Sequence, residues 1–254
     1  MGSKFVLIIP SFNNSQWYSR NLASIFAQDY NAEFRAIYID DGSSDGTADL
    51  VQAYIAERNS DLAVPITFIH NSVRAGALQN LYSAIHECAD DELAILLDGD
   101  DWFAHKRVLT VINKVYTDTN CWMTYGQYRS WPDNTVGLSK EIPSEVIKSN
   151  GFRKHEWCSS HLRSFYAWLF KLINKSDLLA PDGAFYKMSW DQAIMFPLLE
   201  MSGNRSAFIN EVLYIYNNAN PISDSKIDRE LQRQCEVHIR DRATYRRLDQ
   251  PIYR

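Results

Sequence analysis

The first hundred residues carry the strongest constraint on the fold. Short apolar runs alternate with helix-patterned segments, and each run ends in a polar cluster. Phe5-Val6-Leu7-Ile8-Ile9 is continuous, rich in β-branched residues, and stops at Pro10. A strand buried on both faces of a parallel sheet reads this way, whereas a strand with one wet face alternates. Residues 34–39, 66–69 and 93–97 repeat the pattern. Between them, 15–28 gathers Leu22, Ile25 and Phe26 on one helical side. Residues 47–58 do the same with Leu50, Val51, Tyr54 and Ile55, capped by Asp45 or Thr47. A third helix is predicted over 75–88. The alternation predicts an α/β fold with a mostly parallel central sheet flanked by helices and joined by right-handed crossovers. Ligands in such sheets bind beyond the carboxyl ends of the strands, where the polar clusters stand.

The second half is less regular. Residues 101–116 read as a helix, 122–129 as a strand, and Trp131-Pro132-Asp133-Asn134 as a turn. Residues 163–173 and 190–201 read as helices, with Pro197 bending the second or marking its start. Residues 212–216 read as a strand, and 228–254 as a helix followed by looser chain. No linker, repeat or low-complexity tract divides the sequence, which predicts one domain over 1–254. A net charge of −5 argues against sequence-independent nucleic-acid binding, which needs a strongly basic face. Cys88, Cys121, Cys158 and Cys235 form no C-x-x-C pair and suggest neither a zinc site nor a disulfide framework. No stretch reaches the roughly 20 apolar residues of a transmembrane helix. These features predict a cytoplasmic protein.

Three clusters carry chemistry. In Asp98-Gly99-Asp100-Asp101, three carboxylates follow an apolar run, and the glycine lets the backbone turn tightly. Crowded carboxylates repel one another unless something positive sits among them, and oxygen ligands suit Mg2+ or Mn2+. A polar loop that merely caps the next helix is the competing reading. Asp40-Asp41-Gly42-Ser43-Ser44-Asp45-Gly46-Thr47 also follows a strand, and a carboxylate there can accept from a base N–H or a ribose hydroxyl. Alone it reads equally as a turn with a helix cap. In 71–80, Gly76 precedes a helix whose free N–H groups favour an anion, and Arg74 can pair with a phosphate.

Taken in this order, the clusters resemble those of the family 2 glycosyltransferases, inverting enzymes with the Rossmann-like GT-A fold. The matching stretches, which begin with Ile8-Ile9-Pro10-Ser11-Phe12-Asn13, cover about the first 105 residues. The resemblance implies a nucleotide-sugar-binding half over 1–105 and an acceptor-binding half with a helical tail over 106–254. It implies that Pro10, Ser11 and Asn13 line the nucleotide pocket. The family usually has Tyr where Phe12 stands. Asp40 or Asp41 would hold the base, typically uracil, with Arg74, Gly76 and Asn80 near the base and diphosphate. Asp98, Gly99 and Asp100 form the DxD motif. Asp98 would approach the donor sugar and, with Asp100, ligate Mn2+ or Mg2+, and Asp101 adds a further contact. An inverting enzyme also needs a general base for the acceptor hydroxyl. The family places it at a helix start after the DxD motif, often as Glu-Asp, and Asp191 of Ser189-Trp190-Asp191-Gln192 fits, with Trp190 in place of Glu. Trp190, Trp157, His161 and Arg163 are candidates for acceptor or phosphate contact, with Ser159 or Ser160 capping a helix that carries the last two. Residues 214–223 are candidates for a loop over the donor. The implied partners are a UDP-sugar donor and a saccharide, lipid-linked or protein acceptor. The competing functions are a silent nucleotide-sugar-binding protein and an Asp-x-Asp phosphotransferase, whose motif usually opens its domain rather than following three strands.

Overall fold

The computed structural model describes residues 2–58, 64–222 and 224–253. Strands β1 (Phe5–Ser11), β2 (Phe34–Asp40), β3 (Ile66–His70) and β4 (Leu93–Leu96) pair in parallel in the order β3-β2-β1-β4. The unbroken apolar run of β1 follows from its two dry faces. Phe5, Leu7 and Ile9 enter one core cluster, and Val6 and Ile8 enter another. Helices α1 (Tyr18–Phe26) and α2 (Thr47–Arg58) cover the first face through Leu22, Ile25, Val51 and Ile55. Helix α3 (Ala77–His86) covers the second through Leu78, Leu81 and Ile85. Leu50 is 39% exposed, so the buried stripe of α2 is narrower than its sequence suggests. Asp45 Oδ1 accepts the Thr47 N–H at the start of α2. β1 does not stop at Pro10 but runs to Ser11. Its pairing with β4 has already ended at Ile8–Leu96, so the missing proline N–H costs no bond there.

The second half adds β5 (Trp102–Phe103), α4 (Val108–Thr119), β6 (Met123–Trp131), α5 (Ser144–Ser149) and β7 (Arg163–Tyr166). It continues with α6 (Ala167–Lys171), α7 (Trp190–Ser202), β8 (Ser206–Asn217), α8 (Asp224–Ile227) and α9 (Arg229–Arg240). The full sheet order is β3-β2-β1-β4-β7-β6-β8-β5. β7 runs antiparallel to both β4 and β6, β5 is antiparallel to β8, and β6 is parallel to β8. The sheet is therefore mixed, and the parallel expectation describes its first half. The helix expected over 101–116 gives way to β5 and begins only at Val108.

The helix expected over 163–173 is also corrected. Residues 163–166 form a strand, and only 167–171 are helical. The reason is tertiary. Ser164 Oγ meets Thr124 Oγ1 of β6 at 2.6 Å and Tyr116 Oη at 3.0 Å, and Phe165 is fully buried. A cross-strand hydroxyl pair and aromatic packing outweigh a helical pattern. Helix α7 is buried on nearly all sides and begins at Trp190, with Pro197 inside it. Glu200 on α7 is fully buried and caps a polar network rather than facing solvent. Arg153 grips it at 2.6 and 3.0 Å, and the Tyr245 N–H donates to it at 2.9 Å. That network fastens the chain after α9 to the core. The four cysteines are buried and unpaired. Among the described residues, no helix is long and apolar enough to cross a membrane.

Candidate active site

The loops after β1, β2 and β4 meet at one end of the sheet and are laced together. The Gly99 N–H donates to the Pro10 carbonyl, and the Asp41 N–H to the Ser11 carbonyl. Ser11 Oγ accepts from Tyr38 Oη at 2.9 Å and from Asn14 Nδ2 at 3.0 Å. Asn13, at φ 51°, joins the first two loops through Ser43 Oγ and the Ser44 N–H. Gly99 is required by space, since a Cβ there would lie 2.6 Å from Ser11 Cβ and 2.9 Å from Asn14 Nδ2.

These loops border a cavity of about 240 Å³. Pro10, Ser11, Asp41, Arg74 and Asn80 line one side, as the sequence predicts, and Asp98, Asp100 and Asp101 line the floor. His161, Arg163, Trp190 and Asp191 close the other side. Five sequence candidates lie elsewhere. Asp40 is fully buried, and its Oδ2 accepts from the Ser43 N–H and meets His70 Nδ1 at 2.9 Å. Asn13, Gly76 and Gly99 shape the loops without lining the cavity. Trp157 packs edge-on against Phe196, 5.5 Å between centroids, and joins the core rather than the cavity.

Asp41 is the acidic residue of the second loop that faces the cavity. Burial raises its carboxyl, but N–H donors outweigh burial and hold it below the ordinary carboxylate value. Those donors include the Ala75 and Gly76 backbones, each at 2.8 Å, and Asn71 Nδ2 at 2.9 Å. Gly76, at φ 93°, caps α3 and turns its backbone toward this carboxylate. Arg74 lies 3.8 Å over the Phe12 ring, so the phenylalanine found in place of the family's tyrosine carries a cation on its face.

The acidic loop is held by residues far away in sequence. Asn21 Nδ2 donates to the Asp98 and Asp101 carbonyls at 3.0 and 2.8 Å. Tyr214 Oη accepts the Asp98 N–H at 3.2 Å and donates to Asp101 Oδ2 at 2.6 Å. The Asn217 N–H donates to Asp101 Oδ1 at 2.6 Å, and Asn220 Nδ2 to Asp100 Oδ2 at 2.7 Å. Burial, then the charges of Asp100 and Asp98, push the Asp101 carboxyl well up. For Asp98, burial pulls the same way, but His161 and Arg163 outweigh it and its carboxyl is lowered. Asp98, Asp101 and His161 each offer one ligand atom, all within 4.8 Å of one another. Asp98 and Asp100, the expected pair, both line the cavity, and the tertiary structure also brings Asp101 and His161 beside Asp98. Two carboxylates and an imidazole, in a cluster short of positive charge, fit a divalent cation. Burial and then Arg163 lower the His161 value, which favours the neutral ring and a free lone pair for a ligand.

Antiparallel β7 explains how Arg163 and His161 arrive here. Arg163 pairs with Leu96 at the very end of β4, beside Asp98. No helix carries them, and Ser160 Oγ meets His161 Nδ1 at 2.8 Å instead of capping one. The His161 ring stacks on Tyr214 at 4.5 Å. Arg163 is 2% exposed. Its Nη2 donates to Asp191 Oδ2 at 3.2 Å and sits 3.3 Å from His161 Nε2. Its Nε is buried with no partner among the described residues, a donor suited to an anionic oxygen. Ser189, at φ 52°, turns the chain into α7 and sets Asp191 in its first turn. Two other carboxylates of the second half stand away from the cavity: Glu156 is exposed and pairs with Lys140, and Glu200 is sealed in the core. His238 on α9 meets Tyr186 Oη at 2.5 Å, away from the cavity. Asn220 and Ile222 of the 214–223 segment line the cavity; Ser223 lies outside the described residues.

The sequence reading missed Asn14 and Asn21, and placed Tyr214 and Asn217 only within a segment near the donor, without their bonds to the acidic loop. Asn21 left a trace, as a polar residue beside Leu22 on the apolar side of α1.

Residues 6–177 match the profile of glycosyl transferase family 2. None of the curated proteins matches the chain. Among solved structures, S. aureus TarS 1-349 in complex with UDP-GlcNAc is similar, with a TM-score of 0.65 and 17% identity. The match covers 92% of this chain and 66% of that one. Another TarS structure from S. aureus matches with a TM-score of 0.62 and 19% identity, over 84% of this chain and 36% of that one. The mannosyltransferase PcManGT from Pyrobaculum calidifontis, in complex with GDP-Man and Mn2+, has a TM-score of 0.56 and 18% identity. There the match covers 87% of this chain and 58% of the other. The chain thus spans from 36% to 66% of the length of these structures. At these identities the likeness is one of fold.

Proposed function

Because the chain belongs to glycosyl transferase family 2, we propose that it transfers a sugar from a UDP-sugar to an acceptor hydroxyl with inversion at the anomeric carbon. The observation that carries this reading is the convergence of Asp41, Asp98, Asp100, Asp101, Arg163 and Asp191 on one cavity at the ends of β1, β2 and β4. Nothing in a helix-capping role requires six ionisable side chains from four separate segments to share one space. The first 105 residues act as the donor half, and 106–254 as the acceptor half of one domain. The unpaired cysteines agree with a reducing, cytoplasmic setting.

In this reading Asp41 and the Phe12–Arg74 pair hold the base. Arg163 Nε, which lacks a partner among the described residues, donates to the diphosphate. Asp98, Asp101 and His161, with Asp100 adjacent, would hold a divalent cation, which would supply positive charge for the departing diphosphate. The imidazole in that set favours Mn2+ over Mg2+. Asp191 Oδ1 accepts the Gln192 N–H and Oδ2 is held by Arg163, so the carboxylate is oriented from two sides. It takes the proton of the acceptor hydroxyl while that oxygen bonds to the anomeric carbon and the carbon–oxygen bond to the diphosphate breaks. UDP leaves with the bonding electrons. The similar structures in complex with UDP-GlcNAc and GDP-Man support a nucleotide-sugar donor; the acceptor class is a saccharide, a lipid-linked saccharide or a protein. Calorimetric titration with UDP, with and without Mn2+, tests the reading. Binding that needs the metal supports it, and acceptor-dependent release of UDP from a UDP-sugar separates an enzyme from a silent binder. Absence of binding to UDP, GDP and dTDP alike removes the reading.

A further inference from the structure

Of the seven tryptophans, Trp122, Trp168 and Trp190 are buried and Trp157 packs on Phe196. The other three, Trp17, Trp102 and Trp131, are half-buried and stand together. The Trp131 ring lies 5.6 Å from Trp17 and 5.7 Å from Trp102, edge to face in both cases. The exposed side chain of Arg20 lies across two of them, 4.7 Å from the Trp131 ring and 5.3 Å from Trp102. Beyond Trp131 the chain continues to Val136, 60% exposed, and Leu138, 51% exposed. So much aromatic surface left partly in water marks a binding surface more often than a packing remainder.

The position of the cluster is specific. The Trp17 backbone N–H donates to the carbonyl of Asn14, which lines the cavity. Trp102 directly follows Asp101. Trp131 pairs with Asn217 at the end of β8, and its carbonyl accepts the Asn218 N–H beside the residues that hold Asp100 and Asp101. The backbone of each tryptophan is thus bonded or adjacent to an element of the cavity wall. Indole faces are electron-rich and apolar, and the weakly positive C–H faces of sugar rings stack on them. The Arg20 guanidinium supplies N–H donors for the hydroxyls at the rim of such a stack. We propose that Trp17, Trp102, Trp131 and Arg20 form a saccharide platform at the cavity rim that seats the non-reacting sugars of an oligosaccharide acceptor. The assignment of an acceptor rests on the transferase reading; the binding of saccharide does not.

The test titrates the protein with chitotetraose, cellotetraose, maltotetraose and mannotetraose, followed by tryptophan emission, and separately with UDP by calorimetry. At least one tetrasaccharide binds the parent protein. Trp131→Ala and Trp17→Ala each weaken that binding about tenfold or more, while UDP affinity stays within about twofold. Trp131→Phe, which keeps a ring, recovers part of the loss. If Trp131→Ala loses UDP binding as well, its fold is damaged, and Trp17→Ala, at the entry to α1, decides. The proposal is overturned if no tetrasaccharide binds the parent, or if the alanine variants bind it as tightly as the parent does. Trp131-dependent saccharide binding without any UDP binding would keep the platform and remove the transferase reading.

Discussion

Gly99→Ala is a small change with a consequence that follows from the geometry. The added methyl carbon would stand 2.6 Å from Ser11 Cβ and 2.7 Å from Ser11 Oγ. Carbon pairs rest at about 3.5–4.0 Å, so the overlap is about 1 Å. Ser11 has little room to yield, being 3% exposed and bonded to both Tyr38 and Asn14. Forcing a methyl into such a contact costs about 1–3 kcal/mol. For a domain of this size that lowers the melting temperature by about 2–12 °C. The strain can also be relieved by lifting the 98–101 loop off β1, which displaces the three carboxylates. Mn2+-dependent UDP binding therefore weakens along with stability, by up to about 150-fold if the whole cost falls on the bound state. Thermal melts and calorimetry of the purified variant measure both. A Gly99→Ala protein that melts within about 1 °C of the parent and binds UDP equally well would refute the argument that Gly99 is a spatial requirement of the site.

Asp191→Asn should leave UDP affinity unchanged and abolish sugar transfer; transfer at the parent rate would move the general base elsewhere. Glu200→Ala strands the Arg153 guanidinium in the core at a cost of about 3–5 kcal/mol, and denaturant titration should show that loss with no specific effect on UDP. Asp41 is lowered in the folded protein, so its stabilisation is present above the ordinary carboxylate value and is lost as pH falls through the lowered one. Asp41→Asn should accordingly flatten the fall in stability below about pH 4, measured as denaturant midpoint against pH. An unchanged acid slope would mean that the N–H donors around Asp41 do not stabilise its charge. Replacing Mn2+ by Mg2+ should weaken UDP binding, and His161→Ala should narrow that difference, because the imidazole is the ligand that favours manganese. Equal affinity with the two ions in the parent would remove His161 from the ligand set.

The chain itself determined the parallel half of the sheet, because a strand buried on both faces must be apolar throughout, as β1 and β4 are, and β2 and β3 repeat their spacing between helices. It also determined the acidic loop, the Asp41 loop and the start of α7, since carboxylates and glycines at strand ends are local patterns. Only the tertiary structure decided how the second half closes the site. Residues 163–166 carry a pattern that a helix would satisfy equally well; a Ser164–Thr124 contact 40 residues away makes them a strand. That strand runs antiparallel to β4, and this direction alone delivers Arg163 and His161 to Asp98. In the same way, the choice of Asp41 over Asp40 depends on which side of β2 faces the cavity. The hold of Tyr214 on Asp98 and Asp101 spans more than a hundred residues. Periodicity records which residues share a face of one element, but the pairing of elements distant in the chain is set by packing that no local pattern encodes.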